Sequence, residues 1–173
     1  MKKIFSKNLF FRPLTTEDIT KDYIRGLQDK EVVEFTEARY TRWTKSKVSD
    51  YVKTANVPFE SQLIGIFLKK DRRHIGNIRL SGFSKTYKRV DLGIMIFNKK
   101  QWFKGYGTES LIAICDYILK VLRFHKICAG YYSINKGSHK MFKKAGFKVE
   151  GVLKDHYIFN SHYVDFIRVA KIY

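Results

Sequence analysis

The sequence predicts one mixed α/β domain, with helices first, an antiparallel strand meander next, and a β-α-β-α-β-β close. Three observations predict it. Three strand-like runs rich in Ile, Leu, Phe and Val lie between Gln62 and Phe97, separated only by short polar turns, and such spacing favours an antiparallel meander. After Gly105 the apolar period lengthens: Leu111, Ile114, Cys115, Ile118, Leu119 and Leu122 recur at steps of three and four, the signature of an amphipathic helix. Finally, 173 residues at 45% hydrophobic and 16% aromatic content suffice for one well-filled core, with no linker to divide it.

The elements follow in order. Residues 8–14 read as a short strand ended by Pro13. Thr15-Thr16-Glu17-Asp18 offers N-cap chemistry for a helix through about Leu27. A second helical region spans about Asp29 to Glu37, and a third starts near Thr44 or Ser46, carries Val48, Tyr51 and Val52 at helical spacing, and stops at Pro58. The meander strands are Gln62–Lys69, His74–Phe83 and Tyr87–Phe97. The long helix after Gly105 covers about 17 residues by its apolar period. Lys126–Ile134 reads as a strand, Lys136–Ala145 as a short helix closed by Gly146, and Phe147–Phe159 with His162–Ile172 as a hairpin about Asn160-Ser161.

Composition narrows the function. The apolar runs fall far short of the roughly 20 residues of a membrane span, and the basic segment Met1–Phe10 lacks a secretory h-region, so a cytoplasmic protein is expected. Cys115 and Cys128 stand apart within apolar segments, the pattern of core thiols rather than a disulfide or zinc site; no metal is expected. Lys and Arg number 34 against 16 Asp and Glu, a formal net charge of +18. A field of that sign attracts polyanions: nucleic acid, an anionic membrane surface, a phosphorylated cofactor or a nucleotide-linked substrate. A lysine-rich proteome would produce it with no partner at all.

The informative junction lies where the strand ending near Phe97 meets the helix beginning near Tyr106. A helix start leaves unpaired N–H groups and partial positive charge, and Gly105 and Gly107 would let phosphates approach the main chain. No GxxxxGK[ST] occurs, and Ser110 replaces the third glycine of GxGxxG, which excludes the P-loop and dinucleotide readings.

The segment Trp102-Phe103-Lys104-Gly105-Tyr106-Gly107-Thr108-Glu109 resembles the acetyl-CoA motif of GNAT acetyltransferases, in the form found in the RimJ/RimL-type branch. Trp102 departs from the Arg or Gln of the superfamily pattern, as is common in that branch. A second block, Asn135 to Phe147, resembles the branch's N-x-x-S-x-x-x-[YFL]-x-K-x-G-F pattern. Val90–Ile96 resembles the family's central strand, and Glu150–Lys154 with Tyr163–Asp165 its closing hairpin. The resemblance covers roughly residues 8 to 172.

It implies a GNAT-like domain spanning residues 1–173, with a mixed, mostly antiparallel sheet of about seven strands splayed at the centre and flanked by helices. It implies acetyl-CoA as cosubstrate. Met95, Ile96 and Phe97 would line the pantetheine arm, partly through main-chain hydrogen bonds, and the backbone N–H groups of Phe103, Lys104, Gly105, Tyr106, Gly107 and Thr108 would hold the pyrophosphate. Asn135 would bond the pantetheine and Phe142 pack beside it, with Lys140, Lys143 and Lys144 near the adenosine end. Many relatives carry a Tyr proton donor where Phe142 stands; Ser138 is the alternative donor. Asp91 is the candidate base, with His139 and Asp165 as further polar candidates and Glu109 read as structural. Phe35, Tyr40, Trp43 and His156 lie where the family binds the acceptor.

The expected reaction is acetyl transfer to a primary amine, either a ribosomal-type protein N-terminus or an amino group of a nucleotide-linked sugar. The net charge counts against a free polyamine. The competing reading is a non-catalytic basic module that binds nucleic acid or the ribosome. Monomer and homodimer both remain open.

Overall fold

The structure is a computed structural model that describes residues 3–173; Met1 and Lys2, the start of the basic N-terminal segment, lie outside the described residues. Eight strands form one sheet in the order β1-β2-β3-β4-β5-β6-β8-β7. They are β1 (Ile4–Phe5), β2 (Leu9–Pro13), β3 (Ser61–Leu68), β4 (His74–Ser84), β5 (Arg89–Met95), β6 (Lys126–Tyr132), β7 (Lys148–Phe159) and β8 (His162–Ile172). The helices are α1 (Lys21–Gln28), α2 (Lys30–Val33), α3 (Lys45–Thr54), α4 (Tyr106–Asp116) and α5 (Lys136–Lys144). Every strand pairing is antiparallel except β5 with β6, so the mixed, mostly antiparallel expectation holds with one strand more. The extra strand, β1, has two residues and pairs only with β2, too short to carry a period in the sequence.

The helices before the meander differ from expectation in detail. Thr15 and Asp18 close a single 3-10 turn over Thr16–Asp18, and α1 starts afresh at Lys21, capped by the Thr20 hydroxyl, which accepts from the Tyr23 N–H at 3.1 Å. The second helical region is only the four residues of α2, followed by a 3-10 turn at Glu37–Tyr40. The long helix is α-helical to Asp116 and continues as a π-turn over Tyr117–Val121. Its end is sealed by the Phe124 N–H bonding the Ile118 carbonyl at 3.2 Å.

The two sheet faces bury separate cores. Ile78, Leu80, Val90 and Leu92 face α4, where Leu111, Ile114, Cys115 and Ile118 supply the helical stripe. Leu63, Phe67 and Phe97 face α1 and α3, against Tyr23, Leu27, Val48 and Val52. His74 sits inside this second core. Its ring stacks on Phe67 at 4.9 Å and meets Phe97 edge-on at 4.8 Å. Its Nε2–H donates to the Gly76 carbonyl (2.9 Å) and to Asn77 Oδ1 (2.7 Å), while Nδ1 has no partner among the described residues.

Burial holds the His74 pKa below its ordinary 6.5, so the folded ring is neutral and the unfolded one gains a proton first. The stability that follows is fully present above about pH 6.5 and drains away as pH falls through the depressed folded value. His74→Gln, which keeps the Nε2-type donor and removes the titration, is expected to flatten the fall in stability below about pH 6.5 in chemical denaturation at stepped pH.

Candidate functional site

The β5–β6 pair is the source of the site. These strands pair in register at Arg89–Lys126, Val90–Ile127 and Asp91–Cys128 only. β5 then runs on to Met95 and β6 to Tyr132 without pairing each other. The fork opens into a cleft of about 830 Å³.

At one end of the cleft stands the N-terminus of α4. Gly105 is its N-cap, with φ at +81°, in the left-handed region that a side chain disfavours. Phe103 shares that region at φ +59° and is fully exposed; left-handed residues cluster where a loop serves a ligand. The turn leaves the N–H groups of Tyr106, Gly107 and Thr108 without acceptors inside the helix. Two side chains fix this loop. The Trp102 indole donates to the Ile96 carbonyl at 2.7 Å, which gives the departing tryptophan a structural reason. Glu109 accepts from Ser6 Oγ (2.6 Å), the Asn8 N–H (2.6 Å) and Asn8 Nδ2 (2.9 Å), pinning the β1–β2 turn to α4. Burial works to raise the Glu109 carboxyl, but these bonds outweigh it and hold the pKa below the usual value. The carboxylate stays ionised as an anchor.

The cleft brings together most of the residues singled out from the sequence. Met95, Ile96, Phe103, Gly105, Tyr106, Gly107 and Thr108 line it from β5 and the loop, and Asn135, Ser138, Lys140, Phe142 and Lys144 from the start and inner face of α5. Asn135 caps α5 through its Oδ1, which accepts from the Ser138 N–H at 2.9 Å. Phe142 is buried, its ring stacked parallel to Tyr131. Phe35 and Trp43 line the opposite end.

Five residues stand elsewhere, each for a physical reason. Asp91 belongs to the last closed pair before the fork, where Arg168 lies 3.5 Å from its carboxylate; it does not line the cleft. The Phe97 ring is buried against Tyr23, His74 and Gly26 as core. Lys104 is exposed and reaches back to Gln101 at 3.3 Å. Tyr40 is exposed, its hydroxyl accepting from Arg39. His156 sits within a break in β7–β8 register between Leu153 and Tyr157, so Tyr157, not His156, lines the cleft. Asp165 holds that break, accepting from Lys154 Nζ (2.8 Å) and the Asp155 N–H (3.1 Å). Among the further candidates, His139 is exposed and its Nδ1 is 2.8 Å from the Tyr131 hydroxyl.

Sequence reasoning missed the residues that line the cleft away from the α4 loop. Asn77 and Arg79 on β4, with Gly93 on β5, form the floor; Tyr132, Tyr157 and Phe166 form the wall; Glu31, Glu34 and Glu37 mark the rim. Arg39 ties the rim to the wall, donating to the Glu34 carbonyl (2.8 Å), the Tyr132 hydroxyl (3.2 Å) and the Ile158 carbonyl (3.2 Å). The Tyr132 hydroxyl donates to Glu37 at 3.2 Å, and burial pushes its pKa up to about 12. Strand alternation around Ile78 was the available signal for Asn77 and Arg79, since both point away from the α4 core. Both cysteines are buried outside the cleft, and burial pushes the Cys115 thiol up to about 12; neither is a nucleophile.

Known proteins resemble the chain over this same frame. A "probable N-acetyltransferase", YjcK of Bacillus subtilis, is 26% identical over 167 residues, covering 92% of this chain and 91% of its own length. The solved structure of RimL, a ribosomal L7/L12 α-N-protein acetyltransferase in complex with coenzyme A, superposes with a TM-score of 0.88 at 14% identity, covering 99% of this chain and 98% of that one. Spermidine N-acetyltransferase from Vibrio cholerae, in complex with CoA and spermine, superposes at 0.83 with 18% identity and 95% coverage of both chains. At such identities the superpositions speak for the fold. The family model for the acetyltransferase (GNAT) domain matches residues 8–148, which takes in the fork, the α4 loop and α5 together, and the chain therefore belongs to the GNAT family as an N-acetyltransferase.

Proposed function

We propose that the chain transfers the acetyl group of acetyl-CoA to a primary amine by direct attack in a ternary complex. The fork carries this reading. An acyl-pantetheine arm needs an extended slot beside unpaired strand, and a pyrophosphate needs converging N–H donors; the parting of β5 and β6 offers the first and the start of α4 the second. In this reading Met95 and Ile96 border the arm, the N–H groups from Gly105 to Thr108 hold the pyrophosphate, and Lys140 and Lys144 meet the phosphates of the adenosine end. Asn135 bonds the arm, and Phe142 packs beside it.

In the reaction the amine lone pair forms the N–C bond, the C–S bond breaks, and the thiolate takes a proton. Phe142 has none to give. The Ser138 hydroxyl, in the first turn of α5 and on the cleft wall, is the proposed donor, and it regains its own proton from solvent in the open cleft. The amine's own proton leaves toward the rim, where Glu34 and Glu37 stand beside Glu31, which Lys99 already holds. Without a reactive thiol there, no acyl-enzyme is expected. The relatives named for spermidine and for ribosomal protein support an amine acceptor in general; within that class we favour a protein N-terminus or an amino group on a nucleotide-linked sugar. The two unpaired thiols fit the proposed cytoplasmic location, and the proposed form is one domain, as a monomer or homodimer.

Amine-dependent release of CoA thiol over N-terminal peptides, nucleotide-linked amino sugars and small amines tests the proposal. Initial-rate lines that intersect support the ternary complex, and parallel lines would sink it. Ser138→Ala is expected to lower kcat by about ten-fold or more while leaving acetyl-CoA affinity within about two-fold; full activity removes Ser138 from the mechanism.

A further inference from the structure

The acceptor end of the cleft contains a cation with nothing to bind. Arg79 projects from β4 on the same face as Asn77, and both line the cleft. Arg79 is exposed on β4, and its guanidinium is in no ion pair and no hydrogen bond among the described residues, whereas several charged groups nearby are engaged. Arg39 is spent on the rim clamp, Lys99 holds Asp29 and Glu31, and Glu37 accepts from Tyr132. The Arg79 guanidinium rests 5.4 Å from the centre of the Tyr51 ring, and Tyr51 is braced edge-on by Trp43 at 5.6 Å. That arrangement orients a planar donor fork without using its N–H groups. Across the strand pair Arg79 stands opposite Gly93, where an added Cβ would find nothing within 4 Å. The space beside the guanidinium is open, and it adjoins the fork.

We propose that Arg79 is a specificity-determining residue and that the acceptor is an amine whose molecule also carries a carboxylate or phosphate, held bidentately by this guanidinium. The inference rests on the reading of the cleft as an acetyl-CoA site. An unpaired guanidinium prefers a planar or tetrahedral oxyanion to any other partner, and it repels a purely cationic amine. The rim carboxylates Glu34 and Glu37 complement the ammonium end of the same molecule. The chamber thus reads a dipolar acceptor, with opposite charges at opposite ends, although the protein as a whole is strongly basic.

Two measurements with wild type and Arg79→Gln decide the matter. First, protein saturated with CoA, so that the α4 site is filled, is titrated calorimetrically with inorganic phosphate and separately with acetate. Arg79→Gln is expected to weaken the tighter of the two by about five-fold or more, as loss of a charge-assisted pair requires, and which anion is tighter tells phosphate from carboxylate. The exposed Arg42→Gln serves as the control for surface charge and should change nothing. Second, acetyl transfer is compared between matched amines: glucosamine against glucosamine 6-phosphate, a dipeptide amide against the free acid, and spermidine. The anionic member should show the lower KM in wild type, and Arg79→Gln should raise that KM by about ten-fold while leaving the uncharged partner's within about two-fold.

Anion titrations identical in wild type and variant would overturn the proposal. So would preferred use of spermidine, or an equal loss of kcat across the panel with KM unchanged, which would put Arg79 on the thioester instead. Failure of CoA to saturate the protein at all would strike the reading of the cleft; saturation with no effect of Arg79→Gln strikes this inference alone.

Discussion

Gly105→Val is expected to abolish acetyl-CoA binding, weakening it by about a hundred-fold or more, as loss of an oriented N–H cradle implies. Gly105 holds φ at +81° as the N-cap of α4, and an added Cβ would enter open space rather than the core. That open space is where the proposed pyrophosphate lies. A valine there acts twice: its branched side chain occupies the cradle, and its backbone resists the left-handed conformation at a cost of about 1–3 kcal/mol. Gly105→Asn separates the two effects, because asparagine tolerates that conformation and still fills the space. Both variants should lose binding in a thermal-shift titration, with only the valine variant losing stability. Unchanged affinity in the asparagine variant would remove the loop from the cofactor site.

Gly76→Val is expected to destabilise the protein by about 2–4 kcal/mol and to damage cofactor binding with it. The reason is a close approach of β4 to the departing end of β5. A Cβ on Gly76 would sit 2.5 Å from the Met95 carbonyl oxygen, 2.8 Å from Ile96 Cδ1 and 3.1 Å from Ile96 Cα. Backbone atoms cannot swing aside as a side-chain tip can, so the strand edge that borders the cleft must move. Gly93→Ala is the contrast. It has free space, so stability should hold within about 0.5 kcal/mol, while the acceptor chamber becomes shallower. Urea denaturation of the two variants, read beside acetyl-CoA affinity, checks whether the β4–β5 contact couples fold to site.

Much of the proposed cofactor end was legible in the sequence because its elements are adjacent in the chain. A strand, a glycine and a helix adjacent in the chain set out the α4 N-terminus locally, and Asn135 caps α5 within three residues of Ser138. Even Trp102, a departure from the common motif, acts locally through the Ile96 carbonyl. The acceptor end was far less legible. It assembles Tyr23 and Tyr132 with Arg79 and Phe166, elements remote in sequence, and nothing local says that the outward face of β4 borders a chamber.

The misplacements have the same origin. Asp91 failed as a cleft residue because the sequence does not mark where the parallel pair stops, and Asp91 is on the closed side of that point. His156 failed because a break in register between Leu153 and Tyr157 changes which side chains face inward. The net charge of +18 described the surface, but the rim of the cleft carries Glu31, Glu34 and Glu37. The total charge therefore says little about the acceptor, and the ground for doubting a free polyamine is the proposed role of Arg79.

The most direct test of the account is a calorimetric titration of the wild-type protein with acetyl-CoA in the absence of any amine. One saturating site is expected, with a dissociation constant of about 1 μM to 1 mM, the span of typical KM values, displaced competitively by CoA. A flat titration, or binding that CoA fails to displace, would contradict it.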